Sequence, residues 1–307
     1  MSKILAILFA ALAIGTAQAK EVVTIIYAFS PADTMANYSR TLADEANKIQ
    51  DKYTFIFDTK AGAGNAIAAQ YVARTPNTIL ATSSAFFVRP NFYPNESYDI
   101  DNYRELMPQC DAPLAVASAK YKSWKEVPKD QRLTIGVSGL GVTTHLTATQ
   151  IMLKYPNLAV VPFKSTNDSI LSLAGGFTDI HVGFLGESET WGADTSRTKV
   201  YILGTTGDRV INGHPTLVSQ GFPTLLGRMN APHHLVIPNS VSEAKSKEWR
   251  AILVRAAKTK SVHGSYAIDH CDPTSDMDDD RIQPWYHAQA ATWKKLSSGV
   301  KLEYNAK

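Results

Sequence analysis

Four short segments of the sequence combine small residues with hydroxyl or amide side chains. They cover residues 30–37, 62–65, 82–84 and 138–144, and each follows an apolar or β-branched run that predicts a strand. At least three of them precede a helical pattern, and the first amides of a helix have no partner inside the helix. Such helix ends attract anions. The segments therefore predict an anion-binding site, although residues of these types also serve as plain turn and cap residues.

The glycine-rich segment GVSGLGVTTHL, residues 136–146, is the most informative of these loops. Its three glycines let the backbone amides approach a ligand closely. Thr143 and Thr144 add hydroxyl groups, whereas His145 lies inside the following helix and is interpreted as a packing histidine.

Residue patterns for catalysis or metal binding are absent from the sequence. It contains no GxSxG or HExxH motif. The neighbours His233 and His234 would point to opposite sides of a strand. The acidic run over residues 272–280 lacks calcium-loop spacing and favours a solvated loop before a helix over residues 282–296. We therefore predict no catalytic residue, no metal and no cofactor.

The elements that would position these loops alternate between strands and helices. Such alternation predicts α/β layers with parallel strand pairing. A helix is also predicted over residues 243–258. The length of 307 residues favours two domains, and the lack of a Pro-, Gly- or Ser-rich linker favours a chain that crosses between them more than once. The predicted strands cover residues 22–27, 54–57, 79–82, 114–117, 133–137, 159–162, 178–182 and 199–203.

Residues 1–19 have the pattern of a secretory signal peptide. Lys3 precedes a short apolar run, and a small-x-small motif predicts cleavage after Ala19. Lys20 stands where a lipid-bearing cysteine would be needed. The charge of the remaining chain is nearly balanced and predicts binding to neither nucleic acid nor an anionic membrane. Cys110 and Cys271 are expected either to pair or to remain two buried thiols.

Several segments resemble, in the same order, those of the substrate-binding receptors of tripartite tricarboxylate transporters, known as Bug receptors. The first loop, PADTMAN, departs from the PAGGATD of that family. The segments that carry the resemblance are AGAGNAIAAQYVA (61–73), GVSGLGVTTHL (136–146), VPFKSTNDSILSLAGGFTDI (161–180) and HPTLVSQGFP (214–223).

The resemblance implies an α/β fold of the class II periplasmic-binding-protein type, with a ligand cleft between two domains. We expect domain 1 to comprise residues 20–119 and 232–307, domain 2 to comprise residues 120–231, and the crossings to lie near 117–121 and 229–236. It also implies a monomeric periplasmic receptor that captures a small carboxylate for the membrane subunits of a secondary transporter. The alternatives are a receptor that presents its ligand to a membrane sensor kinase, and a hydrolase on a binding-protein fold.

Carried onto this sequence, the resemblance and the loops together predict a set of ligand-binding residues. Asp33 replaces a family glycine, so it either caps the following helix or pairs with a cationic or hydroxyl group of the ligand. Phe184 lies in an apolar patch near Trp191, which indicates either an aromatic ligand or plain core. Lys164 either faces the cleft or lies on the surface. The predicted residues are Ser30, Pro31, Asp33, Thr34, Gly64, Asn65, Thr82, Ser83, Ser84, Ser138, Gly139, Gly141, Thr143, Lys164 and Phe184.

Overall fold

The computed structural model describes residues 19–193 and 198–302. The predicted signal peptide, apart from Ala19, lies outside the described residues. No helix in the described ranges is both long enough and apolar enough to cross a bilayer.

The first sheet has six strands in the order β11-β4-β10-β3-β1-β2. Strands β1, β2 and β3 are parallel, and β10, β4 and β11 continue the sheet in antiparallel pairing. The apolar runs that predict strands β1 and β3 form inner strands of the sheet, and β3 is buried along its whole length. Its strands are β1 (Glu21–Tyr27), β2 (Tyr53–Thr59), β3 (Thr78–Ser83), β4 (Tyr103–Ala112), β10 (Ala231–Pro238) and β11 (Asp272–Pro273). The helices built on it are α1 (Thr34–Lys48), α2 (Ala66–Arg74), α3 (Ala85–Val88), α7 (Glu243–Ala257), α8 (Lys260–Ile268) and α9 (Asp279–Ser297).

The second sheet has five strands in the order β7-β6-β8-β5-β9. Strands β6, β7 and β8 are parallel, whereas β5 pairs antiparallel with both β8 and β9. Its strands are β5 (Leu114–Ser118), β6 (Leu133–Val137), β7 (Leu158–Pro162), β8 (Ile180–Phe184) and β9 (Tyr201–Thr205). Its helices are α4 (Thr143–Met152), α5 (Thr166–Ala174) and α6 (Leu185–Ala193). We call each sheet with its helices a lobe, the first and the second in chain order.

The chain passes from the first sheet to the second at Pro113, between β4 and β5. This is earlier than the predicted crossing at 117–121, because β5 pairs with β8 and β9 and therefore belongs to the second sheet. The chain returns ahead of β10, whose first residue, Ala231, already pairs with Ala112 of the first sheet. These pairings place residues 114–118 in the second lobe and Ala231 in the first.

The parallel pairing expected from the sequence describes part of each sheet. The antiparallel pairs are made largely by the strands next to the crossings, since a strand that enters or leaves a lobe there runs against its neighbours. Strand β4, which ends at the first crossing, was not predicted from the sequence. The predicted helices over residues 243–258 and 282–296 correspond to α7 and to most of α9.

Cys110 and Cys271 form a disulfide that joins β4 to the segment after α8. His233 is fully buried and its Nδ1 lies 3.9 Å and 4.0 Å from the two sulfur atoms. The three side chains come together as a metal site would. The sulfur atoms are bonded to each other, so they lack the thiolate charge with which cysteine binds a metal.

Candidate functional site

A small cavity lies between the two lobes, where the parallel strands of both sheets end. Its volume is about 20 Å³, enough for a water molecule and far less than a pocket that holds a small organic ligand. In this closed arrangement, entry of any organic acid requires the lobes to move apart. The walls are Tyr27, Phe29, Asp33, Met35, Ser83, Ala85 and Ala231 from the first lobe, and Leu114, Ser138, Val142, Thr143, Thr144, Thr166 and Phe184 from the second.

Asp33 is the charged residue of the first-lobe wall. It occupies the N-cap position of α1 with an extended backbone, but its side chain makes no capping hydrogen bond. The carboxylate is 3% exposed, and it accepts hydrogen bonds from the Tyr27 hydroxyl at 3.0 Å and from the Asn167 amide at 3.3 Å. Burial raises its pKa from 3.8 to about 7, against the effect of these hydrogen bonds. The capping interpretation of Asp33 is thus wrong for its side chain, which turns into the cavity.

The Asn167 amide belongs to the first turn of α5 in the second lobe, so the Asp33 contact crosses the cleft. The carboxylate lies at the amino end of that helix, where unpaired amides favour negative charge. In the closed arrangement the protein therefore places one of its own carboxylates on a helix end.

A second buried carboxylate, Asp269, makes the same kind of contact. It follows α8, is fully buried, and accepts a hydrogen bond from the Glu187 amide in the first turn of α6 at 2.9 Å. It also accepts hydrogen bonds from the hydroxyls of Thr34 and Tyr38 in α1. Asp269 thus links two helices of the first lobe to a helix end of the second. The sequence carried no signal for this role, since the residue lies far from every predicted loop.

The Glu187 side chain adds a third buried carboxyl to this region. It is 4% exposed. Burial raises its pKa well above the ordinary value, and the nearby charges of Asp33 and Asp269 act in the same direction. Burial likewise raises the pKa of Asp269. Because their pKa values are raised, all three carboxyls hold their protons more tightly than exposed carboxyls do.

The glycine-rich loop forms the opposite wall. The Ser138 hydroxyl lies 2.9 Å from that of Thr144, whose oxygen also accepts the Ser138 amide at 3.0 Å. Gly141 has a φ of +70°, and a Cβ there would lie 2.3 Å from the Tyr93 ring of the first lobe. Only glycine fits this approach. The His145 Nδ1 accepts the Gly141 amide at 3.0 Å, a contact inside the loop rather than with the cavity.

Two more predicted loops approach the cavity from the first lobe. Ser83 lines it, and the Ser84 hydroxyl lies 2.7 Å from that of Thr143 across the cleft. Thr82 donates to the Asn65 side chain beneath this surface. The two loops therefore support each other and meet the start of α4.

The structure places the predicted site residues in two groups. Asp33, Ser83, Ser138, Thr143 and Phe184 line the cavity. Pro31 and Lys164 are exposed, so Lys164 adds no positive charge to the cavity. Gly64 faces Val142 across the cleft, with 2.9 Å from its ideal Cβ to the valine side chain. The predicted residues that do not line the cavity are Ser30, Pro31, Thr34, Gly64, Asn65, Thr82, Ser84, Gly139, Gly141 and Lys164.

Sequence reasoning did not select Tyr27, Phe29, Met35 and Thr166 for the site. Tyr27 ends the first predicted strand and Phe29 lies two residues beyond it, where ligands bind in open α/β sheets. Thr166 is 3% exposed and begins α5 within one of the family-like segments.

A buried Ser–His pair also lies in the second lobe. The Ser169 hydroxyl is 2.8 Å from Nδ1 of His181, and both residues are fully buried. Burial lowers the pKa of His181 to about 3. Neither residue lines the cavity, so no substrate held there could reach this pair.

Comparison with known proteins gives a consistent result. A model of the tripartite tricarboxylate transporter family receptors matches residues 38–219. A search of curated proteins finds no match. Among solved structures, the periplasmic binding protein BugD is 20% identical, covers 93% of this chain and 99% of its own, and has a TM-score of 0.82.

Two proteins solved with ligands are also similar in fold. An R. palustris protein solved with adipate is 19% identical over 91% of this chain and 97% of its own, with a TM-score of 0.79. MatC from Rhodopseudomonas palustris, solved with malate, is 15% identical over 90% and 98%, with a TM-score of 0.75. These likenesses confirm the predicted periplasmic-binding-protein fold.

Proposed function

Because the chain belongs to the tripartite tricarboxylate transporter receptor family, we propose that it is a periplasmic receptor whose two lobes close on a small carboxylate. The observation that carries this proposal is the interlobe cavity, whose walls come from both sheets at the ends of their parallel strands. In open α/β sheets this is the position where ligands bind. Adipate and malate, held by two proteins of the same fold, make small di-acids the first candidates.

The chemistry of the second-lobe wall supports binding of a carboxylate. Helix α4 begins at Thr143, and its amino end faces the cavity beside the hydroxyls of Ser138, Thr143 and Thr144. A helix amino end offers unpaired amides and about half a positive charge. Hydroxyl and amide donors can hold a carboxylate without a basic side chain.

Opening and closing of the lobes belongs to the proposed mechanism. The chain crosses between the sheets at Pro113 and again shortly before Ala231, so two short connections can act as hinges. The contacts across the cleft then favour the closed state. A ligand that binds better between closed lobes shifts the population in the same direction.

We further propose that the protein acts as a monomer in the periplasm after cleavage of residues 1–19. There it would deliver its ligand to the membrane subunits of a secondary transporter. It would need neither a cofactor nor nucleic acid for this function.

A thermal shift panel of mono-, di- and tricarboxylates, beginning with adipate and malate, tests the binding function. A true ligand at 100 times its dissociation constant adds about 2.7 kcal/mol to the free energy of unfolding. If no small acid raises the melting temperature, the proposed function is wrong.

Uptake into membrane vesicles that carry the transporter subunits tests the delivery step. We expect uptake of the identified acid only when the purified receptor is added. Tight binding without any stimulation of uptake would contradict the transport role and leave the binding role intact.

A further inference from the structure

Three neighbouring strands of the first sheet bring two cysteines and one histidine together. Cys110 lies in β4 directly opposite His233 of β10, and Cys271 stands immediately before β11, which pairs with the other side of β4. The two sulfur atoms and Nδ1 of His233 lie within 4.8 Å of one another. The hydrogen-bonded sheet thus holds three potential metal ligands, and rigid elements of this kind favour a precise site.

The ring nitrogens of His233 lack a strong partner while the disulfide is closed. The side chain is fully buried, and its Nε2 atom has no hydrogen-bond partner among the described residues. Its Nδ1 atom faces the two sulfur atoms at 3.9 Å and 4.0 Å, and sulfur is a weak acceptor. A buried polar group without a good partner costs free energy. The stability of the oxidised protein therefore does not explain a histidine at this position.

The distances within the cluster suit a metal ion once the bond between the sulfur atoms is broken. Zn²⁺ binds cysteine sulfur at about 2.3 Å and histidine nitrogen at about 2.0 Å, so tetrahedral ligands place sulfur and nitrogen about 3.6 Å apart. The Nδ1 atom of His233 already lies within about 0.4 Å of this separation from both sulfur atoms. Reduction frees the two cysteine side chains to rotate apart to a similar spacing.

The surroundings of the cluster favour an ion that leaves no net charge. The rings of Tyr38 and Phe184 pack against the imidazole of His233, with ring centroids 5.5 Å and 5.2 Å away. Two thiolates cancel the charge of Zn²⁺, whereas they leave one negative charge with Cu⁺. A buried net charge is costly, so this pair of cysteines selects the divalent ion.

We propose that reduction of the disulfide between Cys110 and Cys271 opens a site for one Zn²⁺ ion, held by both thiolates and by Nδ1 of His233. A protein dithiol transfers two electrons and two protons to the disulfide and becomes a disulfide itself. Zn²⁺ then displaces one proton from each thiol. The fourth position of the tetrahedral ion is left to a water molecule. Cys271 lines a surface hollow beside Tyr266 and Asp272, and this is the side from which the dithiol and the ion approach.

Cobalt is the probe for this site, because Co²⁺ occupies zinc sites and absorbs light when thiolates bind it. The mature protein is refolded from denaturant with a phosphine reductant and compared with the oxidised protein. We expect the reduced protein to bind one Co²⁺ per chain with thiolate-to-cobalt absorption, and Zn²⁺ to displace this ion. A folded, reduced protein without that absorption would overturn the inference. If reduction unfolds the chain, Zn²⁺ must restore the fold, because binding at such a site is coupled to folding. A reduced chain that stays unfolded with Zn²⁺ would overturn the inference equally.

The variant His233→Asn distinguishes the three-ligand site from chance binding to two thiols. We expect it to weaken Zn²⁺ binding by the reduced protein by at least about tenfold, since loss of even an outer partner of a metal ligand costs about that much. His263→Asn is the matched control, because His263 is exposed in α8. Equal Zn²⁺ affinity of the two variants would show that His233 is not a ligand and would overturn the inference.

Reoxidation gives a test on the unaltered chain. Formation of the disulfide removes both thiolates, so the reduced protein loaded with Zn²⁺ should release one ion for each disulfide formed. A colour-forming chelator measures the released ion, and a thiol titration measures the disulfide. Zn²⁺ that stays bound after the disulfide has formed would be held elsewhere on the chain and would overturn the inference.

Discussion

Gly186 offers a way to prevent closure of the lobes while leaving each lobe intact. It lies near the start of α6 in the second lobe and is buried against the end of α8 in the first. An ideal Cβ at this position would lie 1.6 Å from the backbone oxygen of Ile268 and 2.7 Å from the Cα atom of Asp269. These are backbone atoms, which cannot turn aside as a flexible side chain can. The variant Gly186→Ala therefore cannot adopt the closed arrangement unchanged.

The size of the effect follows from the contact distance. Non-bonded atoms normally stay about 3.5 Å apart, so the gap at Ile268 would have to widen by roughly 1.5 to 2 Å. Overpacking of this kind typically costs about 1–3 kcal/mol, which lowers the ratio of closed to open protein by about fivefold to a hundredfold. Ligand affinity falls by the same factor if the ligand-bound state keeps the contact between Gly186 and Ile268. In the open state, alanine is favoured over glycine in a helix by about 1 kcal/mol.

Small-angle X-ray scattering and a thermal melt distinguish the outcomes. We expect Gly186→Ala to have a larger radius of gyration than the unaltered protein, with a melting temperature that is unchanged or higher. Gly264→Ala in α8 is the matched control, because an ideal Cβ there meets nothing within 4 Å. If Gly186→Ala instead scatters like the unaltered protein and melts several degrees lower, the contact is a permanent part of the fold and the lobes do not separate there.

Three further predictions concern stability. The ligand-free protein should lose stability as pH rises from about 4 to about 7, because burial raises the pKa of Asp33 from 3.8 to about 7 and the folded state binds the proton more tightly. The full effect on the free energy of unfolding is about 4 kcal/mol at most. The variant Asp33→Asn should flatten the dependence of the melting temperature on pH. The variant Asp269→Ala should lower both the melting temperature and the closed population measured by scattering, since it removes the acceptor of the Glu187 amide and of two hydroxyls in α1. An unchanged closed population would contradict the role of Asp269 across the cleft. Replacing Cys110 and Cys271 by serine should lower the free energy of unfolding by about 2–5 kcal/mol in a denaturant titration, because the disulfide joins positions 161 residues apart. An unchanged denaturation midpoint would contradict a stabilising role of the disulfide.

The parts of the site that could be predicted from the sequence are those encoded locally. The run of glycines and threonines around Gly141 gives both a tight turn and a helix start within a few residues, and the structure places Ser138 and Thr143 on the cavity wall. Strands such as β1 and β3 were predictable because their apolar runs are continuous. The family-like segments supplied the two-lobed fold, which no single periodicity indicates.

The other parts depend on contacts between distant segments. Asp269 reaches the amide of Glu187 only after α8 has packed against α1, and no spacing in the sequence records that approach. The side-chain direction of Asp33 was equally hidden, because its N-cap position is compatible with either capping or exposure to the cleft. The first crossing was misplaced because the break between β4 and β5 is the single residue Pro113.

The most direct test is a calorimetric titration of the mature protein, side by side with Gly186→Ala, using small mono-, di- and tricarboxylic acids. The account predicts saturable binding of at least one of these acids at one site per chain, and a clear loss of that binding in Gly186→Ala. Binding that is equally tight in both proteins would contradict closure of the lobes on the ligand. The absence of saturable binding in the unaltered protein would contradict the receptor function.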